Sequence, residues 1–230
     1  MLGRAVPFSR SGEPSAIAKT PTGGPVEVLE TGIVGDEQGD LRHHGGREKA
    51  LHHYAFDHYS AWKSELDYIS PILNNPGAFG ENLSTLGLTE SDICVGDIIS
   101  AGTSILQVSQ ARQPCWKLDI RFGQARMARR VQETLRTGWY YRVLQPGWIY
   151  EGDQLAVLDR PHPEWTLARI LRALYQPPGD LVTLAGMVEL EVLTPSWREL
   201  AAKRLRTGEI ESWSSRLGEY SSNPARSPNA

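Results

Sequence analysis

The sequence predicts an α+β fold in which a mainly β part, a β-barrel with packed helices, precedes a small C-terminal helical domain. In the first two-thirds of the 230 residues, short apolar and β-branched runs are separated by Gly, Pro, Asp and Asn. This pattern is typical of a closed or nearly closed β structure. After Asp159 the apolar residues recur at helical spacing. We therefore expect a barrel over residues 1–160, a helical domain over 161–218 and a disordered tail over 219–230.

The elements of the predicted barrel can be placed in order. The first strand includes Val26 and Val28 and leads into TGIVGDEQGD, and later strands lie in ICVGDIISAGTSILQVSQ and WYYRVLQPGWIYEGDQLAVLD. The phrases VGD at 95–97 and EGD at 151–153 are similar enough to be equivalent turns into a strand. Two sets of apolar residues at helical spacing predict helices packed across the barrel: Phe56, Tyr59, Trp62, Leu66 and Ile69, and Met127, Val131 and Leu135.

Three helical segments follow the stiff PHP linker at 161–163: WTLARILRALY, LVTLAGMVEL and SWRELAAKRLR. The third has the expected signals, with Thr194 as N-cap, Pro195 at its first position and Gly208 just past its end. A short fourth piece, EIESWSSRL, ends at Gly218. A unit of this size is near the lower limit for independent stability, so we expect it to pack on the barrel or on another subunit, and a homodimer stays open.

The composition narrows the function classes. A net charge of -3 gives no general electrostatic reason to bind a nucleic-acid polymer or an anionic membrane, which favours a small-molecule substrate. No apolar run approaches the ~18 residues of a membrane span, and the first residues, MLGRAVPFSRSGEPSA, lack the apolar core of a signal peptide. We therefore expect a cytoplasmic protein whose two cysteines stay reduced, which leaves a thiol role open.

Cys115, in the stretch SQARQPCWKL, is the first candidate for such a role. Arg112, Lys117 and Arg121 supply positive charge that favours a thiolate, and a thiolate is both a nucleophile and a soft metal ligand. The alternative is a small buried residue at the end of a strand. Cys94 lies inside the strand-like ICVGDII, and there the structural interpretation is preferred.

A cluster of histidines and glycines, DLRHHGGREKALHHYAFDHY, is the second candidate. Gly45 and Gly46 allow a turn whose N–H groups face one point, and His44, Arg47 and Lys49 lie beside it, so the cluster could hold an anion. A zinc site is disfavoured because no His-x3-His or Cys-x2-Cys spacing is present. The remaining histidines are expected to be packing or hydrogen-bonded residues: His52, His53 and His58.

Asn82, in PGAFGENLSTLGLTESD, is a weaker candidate. Its amide carries a donor and an acceptor and lies between Gly80 and the pair Ser84–Thr85, which suits binding of the polar edge of a heterocycle. A turn that caps a strand would explain the same residues.

The motifs GIVGDEQ, HHGGREKALHHY, FGENLS, VGDI and SQARQPCWKL, in this order, resemble the MOSC domain family, and most closely its YiiM-type members with a C-terminal three-helix domain. The resemblance covers about residues 10–217. It implies a β-barrel that binds a molybdopterin-type molybdenum cofactor, in which a protein cysteine completes the coordination of the metal. By this resemblance Cys115 is the metal ligand and Arg112 and Lys117 face the cofactor. It also implies that His44, Gly45 and Gly46 form part of the pocket and that Asn82 contacts the pterin or lines the site.

The resemblance also implies an activity, the reduction of N-hydroxylated compounds such as hydroxylaminopurine-like bases. Cys115 would be catalytic, and His44, Asp36 and Glu81 are the candidates for supplying protons. The sequence contains no G-x-G-x-x-G dinucleotide motif and no cysteine set for an iron–sulfur cluster, so a separate reductase or a thiol must donate electrons.

Two other functions remain open at this point. Cys115 could carry a persulfide for sulfur transfer, as some MOSC domains are linked to cofactor maturation. Alternatively, the protein could bind and deliver the cofactor without turnover. In that case the helical domain would dock on an acidic partner through three basic residues: Lys203, Arg204 and Arg206.

Overall fold

The computed structural model describes residues 1–8, 12–39, 45–66, 70–176 and 179–218. Eleven strands occur in this part of the chain: β1 Val6–Pro7, β2 Pro14–Ser15, β3 Val26–Leu29, β4 Gly32–Ile33, β5 Leu51–Ala55, β6 Leu83–Thr85, β7 Ile98–Ala101, β8 Ser104–Ala111, β9 Trp139–Gln145, β10 Gly147–Ile149 and β11 Leu155–Asp159. Seven α-helices accompany them: α1 Asp57–Glu65, α2 Lys117–Phe122, α3 Met127–Glu133, α4 Leu167–Tyr175, α5 Leu181–Glu189, α6 Pro195–Thr207 and α7 Ser214–Leu217.

The central feature is a six-stranded sheet in the order β11-β7-β8-β9-β5-β6, which curls into a half-barrel. Every pair in it is antiparallel except β5 with β6. A three-stranded sheet, β10-β3-β4, packs beside it, with β10 against β8 and β3 against β9. This arrangement confirms the predicted α+β class, and the turn-separated runs of the sequence account for its strands.

The pairing of β8 with β9 shifts register twice, between Ile105 and Leu106 and between Val108 and Gln110. Bulges of this kind bend a strand and change the direction of its side chains, and they are common next to functional sites. The second shift lies just before the end of β8, so it sets the direction in which the chain leaves the sheet towards Cys115.

The two helices predicted within the barrel are present but shorter than their apolar patterns suggested. Tyr59 and Trp62 are buried on α1, which ends at Glu65, and Ile69 lies outside the described residues. Met127 and Val131 are buried on α3. The extension of that helix to Leu135 was wrong, because Leu135 lies beyond its end with a left-handed φ of 60°.

The helical domain follows the sequence signals closely. The three predicted segments are α4, α5 and α6, and α6 starts with Pro195 after Thr194 and ends before Gly208, whose φ is 69°. Thr194 makes no side-chain capping bond, whereas Asp180 caps α5 by accepting from the N–H groups of Val182 and Thr183. The fourth piece is only one turn long. The predicted tail, 219–230, lies outside the described residues.

Barrel and helical domain share one hydrophobic core. It joins buried strand residues such as Leu106, Val108 and Trp139 to helical residues such as Leu171 and Met187. A second core beneath α1, α2 and α3 contains the stacked rings of Tyr54 and Phe79, 3.9 Å apart. The helical domain therefore packs on the barrel of its own chain. In the described ranges, none of the helices has the length and apolar character needed to cross a membrane.

Because the core is shared, we expect the two parts to unfold in one transition. Leu184→Ala, at a residue of α5 with 3% exposure, should lower the free energy of unfolding of the whole chain by about 2–5 kcal/mol. Leu181→Ala, in the same helix at 63% exposure, should change it by less than about 0.5 kcal/mol. Denaturant unfolding followed by circular dichroism measures both. Two separate transitions, or equal effects of the two variants, would contradict the shared core.

Candidate functional site

A cleft that is open to solvent lies at the end of β8, and it contains about 580 Å³ of empty space when the adjoining solvent is counted. The N-terminal segment, the residues after β4, strands β5 and β9, the loop before β6 and the turn after β8 all contribute to its wall. Its lining includes Ser15, Ala16, Ile17, Lys19, Asp36, Glu37, Gln38, Gly39, Lys49, His52, Phe79, Gly80, Asn82, Arg112, Cys115, Lys117 and Tyr140. Among the residues proposed from sequence, Cys115, Arg112, Lys117, Asn82 and Asp36 are therefore brought together.

Cys115 lies in the turn between β8 and α2, and 9% of its surface is exposed. The N–H of Arg112 still donates to the Gly138 carbonyl at 2.9 Å, after which Pro114, which has no N–H, ends the strand pairing. The Cys115 carbonyl then accepts from Leu118 N at 3.0 Å as α2 begins. The thiol is thus at the edge of the cleft.

Cys94 is structural, as expected. It is fully buried, its Sγ lies 3.4 Å from the Pro163 carbonyl, and burial raises the pKa of its thiol. It takes no part in the cleft lining.

The cleft wall is rich in cations. Arg112 is 6% exposed, and its NH1 has no hydrogen-bond partner among the residues that the structure describes. Lys117 donates from Nζ to the Pro14 carbonyl at 2.9 Å. Lys49 and Lys19 also line the wall. Positive charge at a partly buried site favours an anionic ligand.

Arg121 does not belong to this group, although the sequence suggested it. Its Nε is buried without a partner in the described part of the chain, and burial lowers the pKa of its guanidinium. The acidic groups that act on it are Glu81 and Tyr59, outside the cleft lining. Lys117 and Arg121 are four residues apart on α2 and lie on the same side of the helix, but only Lys117, at the start of the helix, lines the cleft.

Asp36, Lys19 and Asn82 form a hydrogen-bonded network in the wall. The Lys19 ammonium lies 2.5 Å from the Asp36 carboxylate, which also accepts from Gly3 N at 2.7 Å and from Asn82 Nδ2 at 2.8 Å. Burial lowers the pKa of Lys19, and Asp36 partly offsets that effect. The Oδ1 atom of the same Asn82 amide accepts a hydrogen bond from the His52 N–H at 3.0 Å. Asn82 therefore lines the site while its amide holds the wall together.

His52 is a site residue that the sequence analysis placed among the packing histidines. It is 5% exposed and lines the cleft, and its Nε2 has no partner within the described ranges. Burial holds the pKa of His52 well below its usual value, and the nearby Arg112 lowers it further. The ring is therefore neutral at pH 7. It lies 5.1 Å from the ring of Tyr140, its partner across β5 and β9.

His53 and His58 pack as expected. His53 lies 2.9 Å from both Tyr141 Oη and Thr85 Oγ1, and burial lowers its pKa to about 3. His58 Nε2 contacts Glu90 Oε2 at 2.7 Å. The described residues contain no group of three or more His, Cys, Asp or Glu side chains placed to hold a metal ion.

The glycine turn of the histidine cluster is only partly described. His44 lies outside the described residues. Gly46 has a φ of 90°, in the region that favours glycine, and precedes a 3₁₀ turn at Arg47–Lys49. It borders a second, shallow cavity that shares Asp36, Glu37 and Gln38 with the cleft. Gly45 and Gly46 are outside the cleft lining itself, and Arg47 pairs with Glu30 at the surface.

Glu81 lies behind the cleft. Its carboxylate accepts from the Tyr59 hydroxyl, from Gly77 N at 2.7 Å and from Phe79 N at 3.0 Å, and burial raises its pKa. These bonds shape the loop that carries Phe79 and Gly80 to the wall. Glu81 is therefore placed to hold this loop, and it is absent from the described cleft lining.

We expect His53 to make stability depend on pH. Its pKa is about 3 in the fold and about 6.5 when unfolded, so the unfolded state binds a proton first as the pH falls. The contribution of His53 to stability is constant above about pH 6.5 and decreases by about 1.4 kcal/mol per pH unit between about 6.5 and 3. His53→Gln keeps polar atoms for Tyr141 and Thr85 without titrating. Urea unfolding at pH 7, 5 and 4 gives the free energy of unfolding as a function of pH. In the variant this free energy should fall less steeply with decreasing pH, by the equivalent of one proton taken up on unfolding. Equal pH dependences in the two proteins would contradict this assignment.

Comparison with known proteins gives the family. A model of the MOSC domain matches residues 40–156, and a model of the YiiM-like, 3-alpha helix domain matches residues 165–208. Protein YiiM of Escherichia coli is 38% identical over 90% of this chain and 91% of its own length. A protein of Gibberella moniliformis named Reductase is 39% identical over 84% of this chain, which spans only 34% of that protein.

Solved structures agree with the sequence matches. The crystal structure of YiiM from Escherichia coli has a TM-score of 0.77 and 31% identity, over 94% of this chain and 98% of that one. YiiM from Geobacillus stearothermophilus has a TM-score of 0.74 and 33% identity, over 89% and 95%. These matches confirm the resemblance found in the sequence. The chain belongs to the MOSC domain family and carries the three-helix domain of its YiiM-like members.

Proposed function

We propose that this protein is a molybdenum-cofactor-dependent reductase of N-hydroxylated compounds, with Cys115 as the metal ligand. The observation that carries the proposal is the pairing, in one cleft, of a thiol at the edge with a buried arginine that has an unsatisfied donor. A structural cysteine would not need such surroundings. The proposed location of the protein is the cytoplasm.

The residues of the cleft fit a molybdopterin-type cofactor. A thiolate is a soft donor suited to molybdenum, and the cationic side chains of Arg112 and Lys117 suit the anionic part of the cofactor. Arg112 NH1 is a buried donor and His52 Nε2 a buried atom with no partner in the described chain. Each such group costs about 1–3 kcal/mol if it stays unsatisfied, so a ligand with polar groups would recover that free energy.

We assign the residues the following roles. Cys115 binds the metal, Arg112 and Lys117 hold the anionic part, and Asn82 keeps the wall in place. Gly45 and Gly46 are proposed to complete the pocket from the adjoining turn. When bound, the cofactor supplies the two-electron chemistry that removes oxygen from an N–OH group.

Conversion of a hydroxylamine to an amine consumes two electrons and two protons and releases water. For the protons we propose Asp36 and His44. Asp36 is ion-paired with Lys19, whose lowered pKa makes its ammonium a stronger acid than an ordinary lysine. This pair can hold and pass a proton at the cleft wall, whereas Glu81 is absent from the described cleft lining.

The electrons must come from elsewhere, and we propose a separate reductase as the donor. The Gibberella relative is named Reductase, and about two thirds of that protein lie outside the match, so the shared module there is joined to further protein. That name supports a reductive function for this chain.

The delivery alternative is weaker than the sequence suggested. Of its three basic residues, Arg204 is 5% exposed, pairs with Glu211 at 2.7 Å and donates to the Leu174 carbonyl. It therefore stabilises the helical domain and cannot meet a partner. The persulfide-carrier alternative also uses Cys115. Measurement of the molybdenum content distinguishes the two functions, because a persulfide carrier needs no stoichiometric molybdenum.

Replacement of Cys115 tests the metal ligand. In protein expressed in a host that makes the cofactor, Cys115→Ser should abolish turnover and the molybdenum–sulfur signature of the protein ligand in X-ray absorption, because a hydroxyl is a harder and less acidic donor. Cys94→Ser is the matched control and should keep both. Retained turnover in folded Cys115→Ser would show that Cys115 is not the ligand.

Turnover and cofactor retention test the reaction. Supplied with electrons, the loaded protein should convert a base hydroxylamine to the amine, measured by chromatography with molybdenum content determined on the same sample. Arg112→Ala should reduce cofactor retention about 10- to 100-fold with less effect on substrate preference, because its partner is the anionic part. Arg206→Ala, at an exposed arginine of α6, is the control. Loaded, reducible protein that leaves every N-hydroxylated base and amidoxime unchanged would favour the sulfur-carrier function.

A further inference from the structure

We propose that Arg216 is a positioning residue for Cys115. The segment Trp213–Gly218, here named the C-terminal clasp, contains α7 and lies beyond both family matches, which end at residues 156 and 208. It runs from the helical domain back to the barrel and packs on the turn that carries Cys115. The inference rests on the proposed function only in taking Cys115 as the residue that must be held.

The clasp binds the backbone on both sides of Cys115. On one side the Arg216 guanidinium donates from NH1 to the Pro114 carbonyl, and on the other the Trp116 N–H donates to the Arg216 carbonyl at 2.8 Å. The same guanidinium donates from NH2 to Gln132 Oε1 at 2.5 Å, and Gln132 is buried on α3. Because the guanidinium is planar and its donors are fixed, these bonds define one position of the turn relative to α3.

Packing brings the clasp unusually close to the turn. Leu217 is 1% exposed and belongs to the second core. Gly218 has a φ of 72°, and a Cβ added there would lie 2.7 Å from the Cβ of Trp116. Only glycine fits such a position without displacing Trp116. The backbone of the clasp, at Arg216 and Gly218, therefore lies directly against Trp116, the residue next to Cys115.

Aromatic contacts anchor the clasp on the helical domain. The ring of Trp213 meets that of Tyr175, the last residue of α4, edge to face at 5.6 Å. The Arg216 guanidinium carbon lies 5.9 Å from the centre of the same Tyr175 ring. Trp213 also packs against both hydrophobic cores. The helical domain is thus connected to the Cys115 turn through Tyr175, Trp213 and Arg216.

The turn depends on this support because it lies outside regular structure. β8 ends at Ala111 and α2 begins at Lys117, so the residues between them have no ladder or helix to fix them. A metal ligand must be held within about 0.5 Å of its working position. Loss of the guanidinium should therefore loosen the thiol before it unfolds the protein.

Thiol alkylation of the full chain, prepared without cofactor, tests this inference independently of molybdenum. Iodoacetamide labelling, followed by mass spectrometry, gives the rates at Cys115 and at fully buried Cys94 in one sample. Arg216→Ala should label Cys115 on the order of tenfold faster than the unmodified protein, because two hydrogen bonds to the turn and α3 are lost. Cys94 should label at its original rate. Arg216→Lys keeps a cation but not the planar pair of donors that joins Pro114 to Gln132, so it should restore only part of the protection. Arg206→Ala should change neither rate.

Two results would overturn the inference. If both cysteines label faster together in Arg216→Ala, the residue only stabilises the fold, since Cys94 reports global opening. If Cys115 labels at the unmodified rate, the clasp does not hold the thiol. Failure of the proposed reductase would leave both readouts unaffected, because neither involves the cofactor.

Discussion

The hydrogen bonds to the backbone of residues 112–116 are the contacts on which the candidate site depends. The strand pairing ends after Arg112, whose N–H donates the last hydrogen bond to the Gly138 carbonyl. Pro114 has no N–H and prevents further pairing. From there to α2 the chain is held by the bond from Leu118 to the Cys115 carbonyl and by the bonds to Arg216. The thiol consequently occupies a defined place at the cleft although its own residue is in neither a strand nor a helix.

The rest of the wall is organised around buried charge. An ion pair in such a place loses hydration, so it is retained only where further hydrogen bonds satisfy its atoms. Asp36 has those bonds, from Lys19, Gly3 and Asn82, and the wall between the N-terminal segment and β5 is fixed as a result. Arg112 and His52 differ from Asp36, since each has a buried nitrogen without a hydrogen-bond partner in the described chain. Unsatisfied groups next to a rigid, satisfied network are typical of a binding site, where stability is given up for recognition.

The sequence predicted much of this molecule, for identifiable reasons. Strands and helices followed from apolar periodicity, and the ends of α6 from Pro195 and Gly208, because these signals are local. The residues of the cleft were harder to predict because they come from six separate parts of the chain. His52 and His53 are adjacent and both buried, and only the pairing of β5 with β9 shows that His52 faces the cleft beside Tyr140. Leu135 was wrongly placed in a helix because its spacing is helical but α3 ends at Glu133. Arg121 was grouped with Cys115 because the two are close in the chain, although Arg121 lies outside the cleft lining.

The position of the helical domain gives it a role that the cleft lining alone would not suggest. Within the described chain, the residue of highest number that lines the cleft is Tyr140, so α4 to α7 contribute no side chain to it. They nevertheless share the barrel's core, and their last turn reaches the backbone beside Cys115. Core packing is rigid and transmits displacement, so a shift of α4 that moved Tyr175 and Trp213 would reach the thiol through Arg216. A domain without any residue in the site can in this way determine how precisely the site's reacting atom is held.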